Sequence, residues 1–71
     1  MKHKYFGLGT QSERIPLILE GLDRGLCTLV KGIEENGNEH MGMKLNDGTI
    51  YILLDADFKL MVDEGLLVME N

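Results

Sequence analysis

Features that would cross-link a small protein or anchor it in a membrane are scarce in this sequence. Its 71 residues contain one cysteine, one proline and no tryptophan, and aromatic residues make up 6% of the chain. A single cysteine, Cys27, cannot form an internal disulfide. No Cys/His spacing typical of structural zinc occurs, and no signal peptide is visible. The apolar runs are far shorter than the roughly 20 residues of a membrane-spanning helix. These absences predict one small domain, residues 1–71, in a reducing cytoplasm and away from membranes.

Motifs for catalysis and cofactor binding are also missing. The nine glycines form neither a GxGxxG nor a GxxxxGK[ST] phosphate-binding pattern. Residues 55–59 begin like a calcium loop, but the glycine and the final glutamate of an EF-hand do not follow. His3 and His40 have no metal-ligand spacing, and Cys27 lies among apolar neighbours, where a thiol is inert. We therefore expect no enzyme activity, no cofactor and no metal.

Residues 10–25 have the clearest helical pattern. Four apolar residues recur at the i, i+3, i+4, i+7 spacing of one helix face: Ile15, Ile18, Leu19 and Leu22. Ser12 is the predicted N-cap, and Pro16 is expected in the first turn, where its missing N–H is tolerated. Gly25 is placed to end the helix.

Two hairpins are predicted after this helix. Residues 26–34 carry apolar side chains on both faces, which predicts a central strand covered on both sides. Asn36-Gly37 is a strong two-residue turn signal and would set Glu34 opposite Glu39. A loop with an added bulge would change that register.

The second hairpin, residues 41–54, closes at Asn46-Asp47-Gly48. With Asp47-Gly48 as a two-residue loop, one face of the hairpin becomes a core surface formed by Met41, Met43, Leu45, Ile50, Ile52 and Leu54. Tyr51 and Leu53 then point to the opposite face. We expect them to form an apolar interface that needs a cover, which the N-terminal segment, the 55–64 helix or a second copy of the chain could supply. A homodimer is expected because it adds buried area to a small core.

Three shorter segments complete the predicted fold. Residues 2–9 are read as an N-terminal edge strand, and residues 55–64 as a short helix with Asp55 as cap. Residues 66–70 are predicted to form a last short strand. The predicted class is therefore α+β, with a small antiparallel sheet of three to four strands, one main N-terminal helix and a short second helix.

Acidic residues outnumber basic ones, and they are unevenly distributed. The formal net charge is −5, from 12 acidic and 7 basic residues. Residues 1–33 carry a net charge of +2, whereas residues 34–71 carry −7. Eight of the carboxylates in the second part are the candidate partner-binding residues: Glu34, Glu35, Glu39, Asp47, Asp55, Asp57, Asp63 and Glu64. An acidic surface of this kind repels nucleic acid and attracts basic proteins.

These carboxylates suggest a protein that occupies a basic DNA-binding surface by presenting negative charges where that surface binds phosphates. In size, acidity, single-domain build and lack of catalytic chemistry, the chain resembles the small acidic host-takeover and DNA-mimic inhibitors made by bacteriophages. That group includes inhibitors of HU-like nucleoid-associated proteins. The resemblance implies a basic DNA-binding protein as partner, no direct contact with nucleic acid, and a bacterial host cytoplasm as location.

Two alternatives remain open from the sequence. In the first, the chain is a structural or regulatory adaptor that binds a partner through the apolar face with Tyr51 and Leu53, and its acidity serves only solubility. In the second, the basic and aromatic residues 2–6 bind single-stranded nucleic acid. The excess of carboxylates argues against the second alternative.

Overall fold

The computed structural model describes residues 3–67 and contains a four-stranded sheet and two helices. In chain order the elements are β1 (Lys4–Phe6), α1 (Gln11–Asp23), β2 (Cys27–Glu35), β3 (Asn38–Leu45), β4 (Ile50–Leu53) and α2 (Asp55–Asp63). The strand order across the sheet is β1-β4-β3-β2. This confirms the predicted α+β class with a main N-terminal helix and a short second one.

The sheet is mixed rather than wholly antiparallel. β2, β3 and β4 pair antiparallel through their hairpins, whereas β1 joins the free edge of β4 in parallel. A helix and a hairpin separate β1 from β4, so their pairing is not restricted to the antiparallel arrangement of a tight turn. Of the predicted last strand, residues 66 and 67 do not belong to a strand, and residues 68–70 lie outside the described part of the chain.

The N-cap of helix α1 lies two residues earlier than predicted. Thr10, not Ser12, holds the N-cap position, and its backbone N–H and hydroxyl both donate to Glu13 Oε1 at 3.0 Å. These hydrogen bonds lower the pKa of Glu13, with the backbone N–H of Thr10 as the largest cause. Pro16 therefore lies inside the helix rather than in its first turn. Pro16 is exposed. Because proline has no N–H to donate, one carbonyl of the preceding turn has no helical partner, and on this exposed side of the helix it can face water. Gly25 has φ 71° and ends the helix as predicted.

The second hairpin has a three-residue turn, and its predicted register is wrong by one residue. Leu45 N–H donates to Thr49 O at 2.8 Å, which leaves Asn46, Asp47 and Gly48 as the loop. Met43 consequently pairs with Tyr51, and not with Ile52. Because side chains alternate along a strand, this shift exchanges the two faces of β4. Ile50 and Ile52 therefore leave the predicted core face.

One face of the sheet, which we call the helix-covered face, packs against α1 and α2. Its central core residues come from every element except β1: Ile15, Ile18, Cys27, Met43, Leu53 and Met61. Leu53 is 1% exposed and Tyr51 is half-buried on this same face. The helices therefore cover the face with Tyr51 and Leu53, as one of the expected alternatives had it, and the predicted dimer or partner interface through these two residues is wrong.

The other side of the sheet, which we call the open face, carries a smaller apolar cluster. Ile33 Cγ1 and Ile50 Cγ2 lie 3.1 and 3.4 Å from the position that a Cβ of Gly42 would take. Ile52 lies between Tyr5 and Gly42 in the register and is fully buried. Val30 completes the cluster, because it pairs with Gly42 from β2.

A β-bulge between Val30 and Ile33 explains the pattern that predicted a central strand. β2 lies at an edge of the sheet, so that prediction is wrong. Lys31 and Gly32 together lie opposite Met41 alone. This one extra residue shifts the alternation, so that Ile33 joins Val30 on the open face instead of Cys27 on the helix-covered face. Gly32 has φ 78°, a conformation that glycine adopts without strain.

Candidate functional site

The β2–β3 hairpin holds three of the candidate carboxylates at one end of the sheet. Its turn residues Asn36 and Gly37 have φ 54° and 80°, as a two-residue type I′ turn requires. Glu34 is paired directly with Glu39, as predicted, and Glu35 is paired with Asn38. Residues opposite each other in this way have Cβ atoms about 5 Å apart, and two like charges at that separation are destabilising. Within residues 3–67, these three glutamates form no ion pair.

His40 connects this hairpin end to the start of α2. Its Nδ1 lies 3.2 Å from Asp55 Oδ1, and its ring meets that of Tyr5 edge to face at a centroid distance of 6.0 Å. α2 begins at Asp55 with Leu54 at its N-cap, so the predicted capping role of Asp55 is wrong. The side chain of Asp55 is 82% exposed. We call the group formed by Glu34, Glu35, Glu39 and Asp55 the acidic tip.

Three other candidate carboxylates lie away from the acidic tip. Asp47 is in the β3–β4 turn, at the other end of an eight-residue strand that spans about 25 Å. It accepts a hydrogen bond from Thr49 N–H at 2.9 Å, which lowers its pKa. Asp63 Oδ2 is 3.7 Å from Lys59 Nζ, and Glu64 caps the far end of α2. Asp47 is thus at the opposite end of β3 from the hairpin turn, and Asp63 and Glu64 are at the opposite end of α2 from Asp55, about 12 Å along the helix axis.

Asp57, the eighth candidate, is fully buried and belongs to an internal ion pair. Arg14 Nε donates to its Oδ2 at 2.7 Å, while Arg14 Nη2 and Gln11 Nε2 each donate to its Oδ1 at 3.2 Å. Arg14 Nη1 also donates to Gly9 O at 2.7 Å. The hydrogen bonds from Arg14 lower the pKa of Asp57 against the opposing effect of burial. The prediction that Asp57 is a solvated, partner-binding carboxylate is therefore wrong.

This ion pair was not predicted, although the sequence contains a signal for it. Arg14 stands four residues before Ile18, and Asp57 stands four residues before Met61. Ile18 and Met61 are both nearly or fully buried. Residues at i and i+4 share a helix face, so each charge continues an apolar face into the contact between α1 and α2.

No catalytic arrangement is found among the side chains of residues 3–67. Cys27 lines a cavity of about 160 Å³ between α1 and the sheet, whose remaining walls are almost wholly apolar and include Leu17, Leu26, Met43 and Tyr51. Burial raises the pKa of the Cys27 thiol, which keeps it protonated. The same residues contain no group of three or more metal-binding side chains.

Neither described helix is long and apolar enough to cross a membrane. Comparison of the chain with protein-family models, curated proteins and solved structures found no match.

Proposed function

We propose that this protein is a non-catalytic inhibitor that binds a basic partner protein through its acidic tip. The observation that supports this most directly is the opposed pair Glu34 and Glu39, held together by the tight Asn36-Gly37 turn. A like-charged pair in this position costs stability in the free protein. A partner that places a lysine or arginine against it removes that repulsion and gains a charge-assisted contact.

The backbone of the acidic tip is also held rigid before a partner binds. The type I′ turn fits the twist of the strands and leaves little freedom in the backbone. Asp55 adds an exposed carboxylate at the start of α2, and its contact with His40 ties the helix to β3. Rigid, closely spaced carboxylates pre-arranged before binding reduce the entropy lost on association.

The partner class that we propose is a DNA-binding protein of the bacterial cytoplasm. Its basic face is built to neutralise a regular row of phosphates, and the paired residues Glu34 and Glu39 present two negative charges side by side. This extends the resemblance to phage DNA-mimic inhibitors from overall acidity to one defined end of the sheet. The carboxylates elsewhere contribute to the long-range field that accelerates encounter.

Binding to a purified HU-like nucleoid protein, with duplex DNA as competitor, tests the proposal. We expect the complex to weaken steeply between about 50 and 500 mM salt and to be displaced by DNA. The double variant Glu34→Lys/Glu39→Lys should abolish binding. The matched control Asp63→Lys/Glu64→Lys makes the same charge change at the end of α2 that lies away from Asp55. This variant should retain most of the affinity for the partner.

The same variants used in affinity capture from a bacterial lysate extend the test to other basic partners. Binding that is insensitive to salt, or equally reduced by the two double variants, would overturn a specific role for the tip. Absence of any captured basic protein at low salt would overturn the function itself.

The apolar cavity beside α1 favours a second candidate function, an adaptor with an apolar anchor site. Leu17 and Leu26 flank this cavity and are each 55% exposed. A single apolar side chain of a partner would fill such a pocket. Binding by this route should persist at high salt and be lost in Leu17→Asp, while the tip variants leave it unchanged.

A further inference from the structure

The open face of the sheet has opposite charges at its two ends. Lys44 lies on this face at the end near the β3–β4 turn, where it pairs with Thr28 and Ile50. Glu35 lies on the same face at the hairpin end, opposite Asn38. Lys44 and Asn38 are six residues apart on β3, or about 20 Å. The face therefore has a positive end and a negative end.

The middle of the open face is apolar, and no described helix covers it. Tyr5 is 43% exposed there, and Val30, Ile33 and Ile50 are half-buried. Ile33 and Ile50 both reach the space above Gly42, so their side chains form the apolar surface at the centre of this face. An apolar centre between polar ends is the usual composition of a protein–protein contact surface.

We propose that a second copy of this chain docks on the open face, with the two open faces in contact. Two sheets stacked in this way lie about 10 Å apart. The two-fold axis then lies between the sheets and runs perpendicular to the strands. This rotation reverses the strand direction and sets Lys44 of one protomer over Glu35 of its partner. Two such ion pairs form, one at each end of the apolar centre, as an isologous interface requires.

The charges also exclude the other simple stacking. A two-fold axis parallel to the strands would place Lys44 over Lys44 and Glu35 over Glu35. That arrangement opposes like charges at both ends of the face, whereas the perpendicular axis places opposite charges together at both ends. The distribution of charge thus selects a second copy in one orientation.

The size of the face sets the strength of the dimer. A four-stranded sheet with strands of up to eight or nine residues covers roughly 500 Å² per protomer, below the approximately 800 Å² of a standard interface. A dissociation constant in the micromolar range is the matching expectation. The acidic tips then lie at opposite ends of the dimer. Glu34 and Glu39 are on the side of the sheet that faces away from the contact and stay accessible to the basic partner, whereas Glu35 of the same tip is used in the dimer contact.

Sedimentation velocity and light scattering across about 1 µM to 1 mM protein, which spans the expected micromolar range of the dissociation constant, provide the test. The mass should rise toward twice the 8.0 kDa of one chain. Lys44→Glu and Glu35→Lys should each weaken the dimer by about tenfold or more, because every single reversal opposes like charges twice. The double variant Lys44→Glu/Glu35→Lys should restore dimerisation, which a merely structural role of either residue would not do.

Lys4→Glu and Glu64→Lys are the controls, since both change charge away from the open face and should leave the mass unchanged. A monomer at all concentrations would overturn the proposal. A dimer that survives both single reversals, or one that the double variant fails to restore, would place the contact elsewhere on the molecule. Partner binding through Glu34 and Glu39 is measured separately, so failure of the dimer leaves the proposed function to its own test.

Discussion

The buried pair Arg14 and Asp57 is the residue-scale feature that most constrains the fold. It joins α1 to α2, and through Gly9 O it also holds the loop that precedes α1. Within residues 3–67 no buried polar side-chain atom lacks a hydrogen-bond partner. A buried pair of this kind is not a large net source of stability, but removal of one partner leaves the other charge buried and uncompensated.

Asp57→Asn should lower the free energy of unfolding by about 3 kcal/mol at pH 7. The pKa of Asp57 in the folded protein lies below its ordinary value of 3.8. The stabilisation is therefore complete above that value and is lost as the pH falls through the lower pKa of the folded state. Urea unfolding of both proteins at several pH values should show a difference that narrows below about pH 4.

Glu64→Gln provides the comparison for that experiment. This exposed carboxylate has no ion-pair partner among the described residues, and its removal should change stability by less than about 0.5 kcal/mol. A difference between wild type and Asp57→Asn that stays constant down to pH 3 would contradict a role for the ionised carboxylate.

The residues around Asp57 in the sequence do not distinguish it from the other carboxylates. Asp55 and Asp57 are two positions apart on a nine-residue helix, and both precede apolar residues. Their exposures differ because α1 brings Arg14 to one of them and not to the other. The pairing of Arg14 with Asp57 across 43 positions is a property of the tertiary structure. In the sequence, only the i+4 relation of Asp57 to Met61 indicates that Asp57 is buried.

At the scale of elements, the two turns show why one hairpin register could be predicted and the other could not. Asn36-Gly37 suits a two-residue turn with both residues at positive φ, and the structure has that turn. Asp47-Gly48 is equally compatible with a three-residue loop that ends in a glycine at positive φ, and Gly48 takes φ 94° there. One residue of loop length then exchanged the faces of β4.

Glu39→Lys separates stability from binding at the tip. The substitution converts the opposed Glu34–Glu39 pair into an attractive one, so the free energy of unfolding should rise by about 0.5 kcal/mol. The same change should weaken binding to the basic partner at least tenfold, because it places a positive charge in the contact. Thermal denaturation and a binding titration on one preparation measure both effects.

Glu39→Gln is the matched control for this prediction. It removes the repulsion without adding a positive charge, so its stability should lie between those of wild type and Glu39→Lys. A loss of stability in Glu39→Lys would contradict the repulsive pairing of Glu34 and Glu39. Unchanged partner affinity would remove Glu39 from the contact.

At the scale of the whole molecule, the sheet separates a helix-covered face from an open face. Both helices pack on the same face, and the core that they cover contains six buried residues. A chain of this length buries only about 60% of its unfolded surface. The α+β class was predictable because hydrophobic periodicity and glycine turns mark each element. The division into two sides was not, because it depends on the bulge in β2 and the turn length in the second hairpin.

If the open faces associate, thermal stability should depend on protein concentration. Above the dissociation constant, each tenfold increase in concentration should raise the melting temperature by about 3–5 °C. Differential scanning calorimetry of wild type and Lys44→Glu over a hundredfold concentration range checks this. The variant should melt at a nearly constant temperature, and a concentration-independent wild type would contradict coupling of folding to association.

The bulge at Lys31 and Gly32 also bears on aggregation. β2 is the long edge strand of the sheet, and an unbroken nine-residue edge would offer its free backbone groups to any other extended chain. The bulge interrupts that row near its middle and adds a lysine, two devices that discourage edge-to-edge pairing and fibre growth. Straightening it by removal of one of these residues should therefore make the protein prone to form β-rich aggregates, even though its core remains intact.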